Sequence, residues 1–178
     1  MRYWDGRLFD EDNLHLEGNF MWRPSIKLGT YLDVGRHLDL SAARAGRHLR
    51  LGAWADAAIG RSVSVNVDVS RQQLRRDGGT AFEATVADLR ASWQIDPRQR
   101  LRLSLQGSEV VRDPTLYARP MNALARDLAS QLVYSYKLNP RTALYAGASY
   151  GAYMDDDHVA LFGNTRSVFL KLGYGWQP

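Results

Sequence analysis

Apolar side chains recur at every second position along most of this chain, and this alternation limits its fold more than any other feature. The clearest run lies between residues 61 and 71, where serine, asparagine and aspartate alternate with Val63, Val65, Val67 and Val69. Successive side chains of a β-strand point to opposite sides, so the run predicts a strand with one apolar and one polar face. No segment has a convincing helical period. The sequence therefore predicts an all-β fold.

Nine segments share this alternation and predict nine antiparallel strands. By residue number they are 14–22, 26–34, 49–57, 63–69, 89–95, 101–106, 128–138, 144–150 and 168–176. Residues 2–9 are a candidate for a tenth strand. A length of 178 residues fits one domain. The sequence thus predicts either one β-barrel domain over residues 1–178 or the carboxy-terminal part of a larger barrel.

The predicted links between the strands alternate in length. Short turns that contain proline or glycine are predicted at residues 23–25, 60–61, 96–98 and 139–141. Longer polar links are predicted at about residues 36–46, 72–80, 113–126 and 155–163. In an up-and-down meander this places all short turns at one end and all long links at the other. That asymmetry is typical of bacterial outer-membrane barrels.

The alternation alone leaves open whether the apolar face points inward, as in a soluble lipocalin-like barrel, or outward to lipid. The mean hydropathy of −0.38 fits a soluble domain, but the strands of a membrane barrel are half polar and give a similar average. A membrane-spanning helix is excluded because no stretch approaches the roughly 18–20 apolar residues that it needs. The polar face carries both signs of charge in mid-strand, which favours a wet lumen. These candidate pore-lining residues are Lys27, Asp33, Arg50, Asp56, Asp68, Asp88, Arg90, Arg102, Lys137 and Lys171.

Aromatic residues on the apolar face collect near the short-turn ends of the strands. They are Trp22, Trp93, Tyr136, Tyr174 and Trp176. Amphipathic rings at this height are typical of the girdle at a membrane interface. The last strand also ends in an aromatic residue, like the signal read by the outer-membrane assembly machinery. These features favour a transmembrane β-barrel in the bacterial outer membrane, in contact with its lipid and lipopolysaccharide.

Four segments in the second half of the chain resemble the end of a bacterial family. They are residues 112–117 (RDPTLY), 130–142 (SQLVYSYKLNPRT), 144–147 (LYAG) and 165–176 (TRSVFLKLGYGW). The sequence is similar there to outer-membrane proteins with an amino-terminal, family-nine carbohydrate-binding-like module and a carboxy-terminal barrel domain of unknown function. The resemblance implies outer-membrane placement and sugar-related neighbours, and it implies no catalytic residues. Family members begin with a signal peptide, so the resemblance also implies that a segment upstream of this chain carries it.

Motifs of enzyme active sites are missing from the sequence. There is no glycine-rich phosphate loop, no His-Glu-x-x-His and no Gly-x-Ser-x-Gly, and the chain contains no cysteine. The four histidines are far apart in sequence: His15, His37, His48 and His158. We therefore expect no enzymatic activity and no cofactor.

Two charged segments in the predicted long links are candidate ligand sites. Asp155, Asp156 and Asp157 are a weak candidate for a divalent cation, the alternative being a solvated loop tip. Arg71, Arg75 and Arg76 could pair with lipopolysaccharide phosphates, the alternative being a solubilising loop. The net charge is only +4 and the arginines are spread along the strands, so nucleic-acid binding is not predicted.

The charges of the predicted lumen support two hypotheses about function. They serve the passage or surface binding of polar solutes, carbohydrates among them, or they form an electrostatic network that closes the lumen. A structural anchor for a sugar-binding module and a soluble ligand-binding barrel are the alternatives.

Overall fold

The computed structural model consists of one long antiparallel sheet and one small hairpin. It describes residues 2–4, 6–9, 11–39, 44–76, 78–157 and 160–175. The hairpin pairs β1 (Arg2–Trp4) with β2 (Arg7–Phe9). The long sheet contains β3 (Asp12–Arg23), β4 (Ile26–Asp39), β5 (Arg44–Ile59), β6 (Val63–Arg76), β7 (Gly79–Gln94), β8 (Gln99–Arg112), β9 (Leu124–Asn139), β10 (Thr142–Asp155) and β11 (Phe162–Tyr174).

Each strand of the long sheet pairs with its neighbours in sequence, in the order β3 to β11, which makes an up-and-down meander. All nine predicted strands are present. The tenth strand over residues 2–9 was a wrong prediction, because this segment folds back on itself in the hairpin of β1 and β2. Among the described residues the one helix is a 3₁₀ turn at Pro114–Leu116. No helix in this part of the chain is long and apolar enough to cross a membrane.

The strands extend further than predicted at the end of the sheet opposite the short turns, which we call the loop end. There β4 continues to Asp39 and β6 continues to Arg76, so the predicted long links at 36–46 and 72–80 are wrong. Residues 70–76 have no apolar face to mark them as a strand, yet their backbone groups continue the ladder with β5 and β7. Only the links at 113–123 and 156–161 remain long at this end.

Short turns close the other end of the sheet, which we call the turn end. In the β7–β8 turn, the carboxylate of Asp96 accepts hydrogen bonds from the backbone N–H groups of Arg98 (2.7 Å) and Gln99 (2.9 Å). The Arg98 amide holds the pKa of the Asp96 carboxyl below its usual value. This contribution to the turn is present at neutral pH and is lost as the pH falls through the lowered pKa.

The apolar face of the sheet is exposed over most of its length. Val168 is 86% exposed, and large apolar side chains on the same face of each strand from β3 to β9 are exposed as well. The buried apolar core is small and includes Leu38 (1%) and Leu74 (0%) near the loop end. A water-soluble chain of this size would bury such a face. The arrangement is that of the strands of a membrane β-barrel, whose apolar face contacts lipid.

One pair of substitutions tests the assignment of the faces. Val67 lies mid-strand on the apolar face, opposite Ala55 and Leu89, and Asn66 lies beside it on the polar face. We expect Val67→Arg to lower the free energy of unfolding from lipid vesicles by about 2–4 kcal/mol, because it places a charge in the hydrocarbon. Asn66→Arg should cost much less. Urea titrations of both variants check this, and equal costs would contradict the assignment.

Candidate functional site

The register of the sheet places several predicted pore-lining charges directly opposite one another. Lys27 of β4 lies opposite Asp56 of β5, and Asp33 lies opposite Arg50 on the same two strands. Opposite charges in such cross-strand positions stabilise a sheet. The sequence patterning alone could not place these residues at the same height, because that requires the register.

Two carboxylates also meet in the register, which is unfavourable without compensation. Asp68 of β6 lies directly opposite Asp88 of β7. The Tyr31 hydroxyl donates to Asp68 Oδ1 at 3.4 Å, and Arg50 Nη2 donates to the Tyr31 oxygen at 3.1 Å. Arg90 Nε lies 2.9 Å from Asp88 Oδ1. Each carboxylate thus has its own donor: Asp68 is linked through Tyr31 to Arg50, and Asp88 is paired with Arg90.

Two glycines hold aromatic rings flat against the polar face. Gly52 lies opposite Tyr31, and Gly29 lies opposite Trp54. A Cβ atom at Gly52 would lie 2.2 Å from the Tyr31 ring, and one at Gly29 would lie 2.3 Å from the Trp54 ring. Each ring therefore occupies the space that a side chain would take. These two contacts were not predicted from the sequence. The available signal was a glycine on the polar side of an alternating strand, which leaves space for a neighbouring ring.

A cavity of about 720 Å³ lies on the polar face near the turn end. Its charged lining comes from β4, β5, β7 and β8: Lys27, Asp56, Arg90 and Arg102. The Asn66 amide in the same lining donates to Asp56 Oδ1 at 2.5 Å, and four serines complete the polar wall. Three cations face one carboxylate in this lining, and because Arg90 is also paired with Asp88, the wall keeps a small excess of positive charge. Such a wall attracts anionic and hydroxylated molecules.

A second cavity of about 500 Å³ continues the polar face toward β9 and β10. Hydroxyl and amide groups dominate its lining, among them Ser104, Gln106, Gln131 and Ser149. It shares Arg90 with the first cavity. The structure does not bring Lys137 and Lys171 into either cavity. They lie exposed, opposite Ala143 and Tyr145.

The long β8–β9 link packs onto the loop end of β4, β6 and β7. Arg76 Nη2 donates to the Leu116 carbonyl at 2.9 Å, and its guanidinium lies 4.7 Å from the centre of the Tyr117 ring. Arg76 also lies 3.7 Å from Asp39, with both side chains about 5% exposed. Burial raises the pKa of Tyr117 to about 12. The link is therefore anchored over the polar face at this end.

These contacts correct the prediction of a phosphate-binding loop at Arg71, Arg75 and Arg76. All three lie in β6 rather than in a loop, because the strand continues to residue 76. Arg76 is buried against Asp39, and Arg71 Nη2 lies 2.6 Å from Glu83. Of the three, Arg75 alone is exposed without an ion pair to a described carboxylate.

The three consecutive aspartates have structural contacts. Asp156 accepts hydrogen bonds from the backbone N–H groups of Ala123 (2.6 Å) and Leu124 (2.8 Å), and so joins the two long links. Asp155 accepts one from the Asp157 N–H at 3.2 Å. Within the described residues, no group of three or more acidic or histidine side chains has the arrangement of a metal site. His158 lies outside those residues.

The predicted girdle residues follow the stagger of the strands. Trp22, Trp93 and Tyr174 are exposed and Tyr136 is half-buried. Across the sheet, Trp93 of β7 is aligned with Tyr134 of β9, and Tyr136 lies two residues further toward the turn end on the same face. Tyr136 is in turn aligned with Leu172 of β11, and Tyr174 lies two residues further toward the turn end on the same face. The aromatic residue is thus displaced by two residues from β7 to β9 and by two more from β9 to β11, as expected for the tilted strands of a barrel. Trp176 lies outside the described residues.

Comparison with solved structures matches this architecture to OmpT, an outer membrane protein of Vibrio cholerae. The in-vitro folded form aligns with a TM-score of 0.59 and 10% sequence identity, over 93% of this chain and 56% of OmpT. The trimer form gives the same values. The chain has the fold of an outer-membrane β-barrel. It spans 56% of the length of OmpT, and at this identity the likeness concerns the fold alone.

Sequence comparisons identify no family for this chain. No family model matches the chain, and no curated protein matches it. The resemblance to barrels that follow a carbohydrate-binding-like module therefore stays a prediction.

The packing of Tyr31 on Gly52 can be tested with a matched glycine. Gly52→Ala should displace the ring and break the link between Arg50 and Asp68, which lowers the free energy of unfolding by about 1–3 kcal/mol. A Cβ atom at Gly107, also mid-strand, would meet nothing within 4 Å. Gly107→Ala should change stability by less than about 1 kcal/mol. Similar losses for the two variants in urea titrations would contradict the role of the close contact.

Proposed function

We propose that this chain is part of the wall of a barrel in the outer membrane of a Gram-negative bacterium, and that its lumen passes polar solutes. The observation that carries the proposal is the positive cavity of Lys27, Asp56, Arg90 and Arg102, which lies on the face opposite the exposed apolar band. Charged side chains around a water-filled pore set its selectivity. The excess of cations favours anionic solutes.

The adjoining cavity extends the range of solutes. Its serine and glutamine side chains offer both donors and acceptors, which suits hydroxyl-rich molecules such as short oligosaccharides. An anionic or phosphorylated sugar would use both cavities. This supports passage of carbohydrates, although the lining is equally suited to other polar solutes.

The strand directions support a larger barrel. Eight antiparallel steps separate β3 from β11, so these edge strands run in the same direction and direct closure would pair them in parallel. Bacterial outer-membrane barrels are antiparallel with an even number of strands. We therefore propose that an odd number of further strands joins β3 to β11. Nine strands match 56% of OmpT, and the same density puts about seven in the remainder.

The conductance of the full-length protein in planar bilayers tests the proposed pore. We expect open channels that prefer anions over cations. Arg90→Gln combined with Arg102→Gln should lower the anion preference, because it removes two of the three cations from the cavity wall.

Arg61→Gln, a charge change in the β5–β6 turn, is the matched control and should leave the selectivity unchanged. A silent bilayer would contradict the pore and favour the alternative of a closed structural anchor.

Disulfide trapping tests the proposed closure by further strands. The chain has no cysteine, so introduced pairs report cleanly. Cysteines at Ala55 and Val67, which are register partners, should cross-link in the folded full-length protein. Cysteines at Leu16 of β3 and Leu170 of β11 should not. A cross-link between them at high yield would show that the nine strands close on themselves.

A further inference from the structure

We propose that β4, β5 and β6 bind the phosphate groups of a phosphorylated glycolipid through Arg36, Arg47 and Arg75. These arginines lie on the face of the sheet that carries the apolar band, which we call the outer face. The three residues lie in one row of the sheet at the loop end. Arg36 is the register partner of Arg47, and Arg47 is the register partner of Arg75. All three are exposed. The inference rests on the membrane placement proposed above but not on an open pore.

Three adjacent arginines are costly for the sheet itself. Like charges directly opposite one another destabilise a strand pair, and neighbouring strands are only about 4.8 Å apart. No described carboxylate lies within ion-pair distance of the three guanidinium groups. Asp12 ends the row opposite Arg36, and its carboxylate accepts the Arg36 backbone N–H at 2.9 Å. The row keeps an excess of two positive charges, which an anionic ligand would relieve.

The surroundings of the row do not remove this excess. Arg71 and Glu83 lie next to it on the same face and neutralise each other at 2.6 Å. Thr80, the register partner of Arg75, adds a hydroxyl group at the end of the row. The surface thus offers guanidinium forks and a hydroxyl, which together match the oxygens of phosphate groups.

The height of the row fits a lipid headgroup. The next residues on the same face toward the middle of the sheet are Val34 and Leu49, which are 41% and 44% exposed. Arg36 and Arg47 therefore lie about 7 Å beyond the apolar band, two strand residues away. On β6, Gln73 and Arg71 separate Arg75 from the apolar residue Val69. Because short turns of outer-membrane barrels face the periplasm, the loop end lies in the outer leaflet. The phosphorylated lipid of that leaflet is lipopolysaccharide, whose lipid A carries the phosphates.

Binding of purified lipid A to the full-length protein in detergent micelles tests the proposal. We expect the variant with Arg36→Gln, Arg47→Gln and Arg75→Gln to lose at least about tenfold in affinity, since several charge-assisted hydrogen bonds are removed. Dephosphorylated lipid A should bind the unaltered protein with a similar loss.

The control variant carries the same charge change at the turn end, with Arg61→Gln, Arg98→Gln and Arg141→Gln. It should bind lipid A like the unaltered protein. Heat-dependent migration in gels checks that each variant is folded, and single Arg→Lys variants, which keep the charge but lose the fork, should lose part of the affinity if one variant fails to fold.

Three outcomes would overturn the proposal. Equal losses in both triple variants would show a general effect of net charge. Equally tight binding of phosphatidylglycerol micelles at matched charge would show generic attraction to anionic lipid. Displacement of lipid A by low millimolar inorganic phosphate would show a site for the free ion. A silent bilayer in the conductance experiment leaves the lipid result standing, so the two proposals fail separately.

Discussion

The backbone hydrogen bonds of the long sheet are the constraint on which the rest of this structure depends. A strand in lipid has no water to satisfy its N–H and C=O groups, so every inner strand needs a partner on both sides along its whole length. The ladder from β3 to β11 provides this with strands of 12 to 16 residues. It also explains why the outermost strands need partners: the outer edges of β3 and β11 are unpaired among the described residues, and direct pairing would join them in parallel.

Once the ladder is fixed, the period of two determines the chemistry of each face. Neighbouring residues such as Asn66 and Val67 point to opposite sides, so one strand presents an apolar face and a polar face at once. The polar face can carry carboxylates because the register supplies partners, as at Asp33, whose Oδ1 lies 2.7 Å from Nδ1 of the opposite residue His15. Where the register opposes like charges, at Asp68 and Asp88, the Tyr31 hydroxyl and Arg90 compensate. The glycine at position 52 is part of this compensation, because it makes room for the Tyr31 ring.

The sequence predicts the strands well because alternation is a local signal that lipid on one side and water on the other enforce. It predicts their ends poorly, since residues 70–76 extend beyond the lipid, where no apolar face is required. Two consecutive arginines there have opposite environments: Arg75 is exposed on the outer face, while the Arg76 side chain is buried against Asp39. The shared cavity of Lys27 and Arg102 and the row of Arg36, Arg47 and Arg75 were beyond prediction, because both depend on a register between distant segments.

The position of the arginine row has a consequence for how the barrel is held in the membrane. The aromatic residues at the turn end step along the ladder with the tilt of the strands, as residues of an interface girdle would. The described loop end of β4 to β6 has no matching aromatic residues, but Arg36 and Arg47 lie one same-face position beyond the apolar residues Val34 and Leu49. In the proposed arrangement, rings at one interface and guanidinium groups bound to phosphate at the other would fix the depth of the sheet by different chemistry. This difference matches the asymmetry of an outer membrane, whose two leaflets present different headgroups.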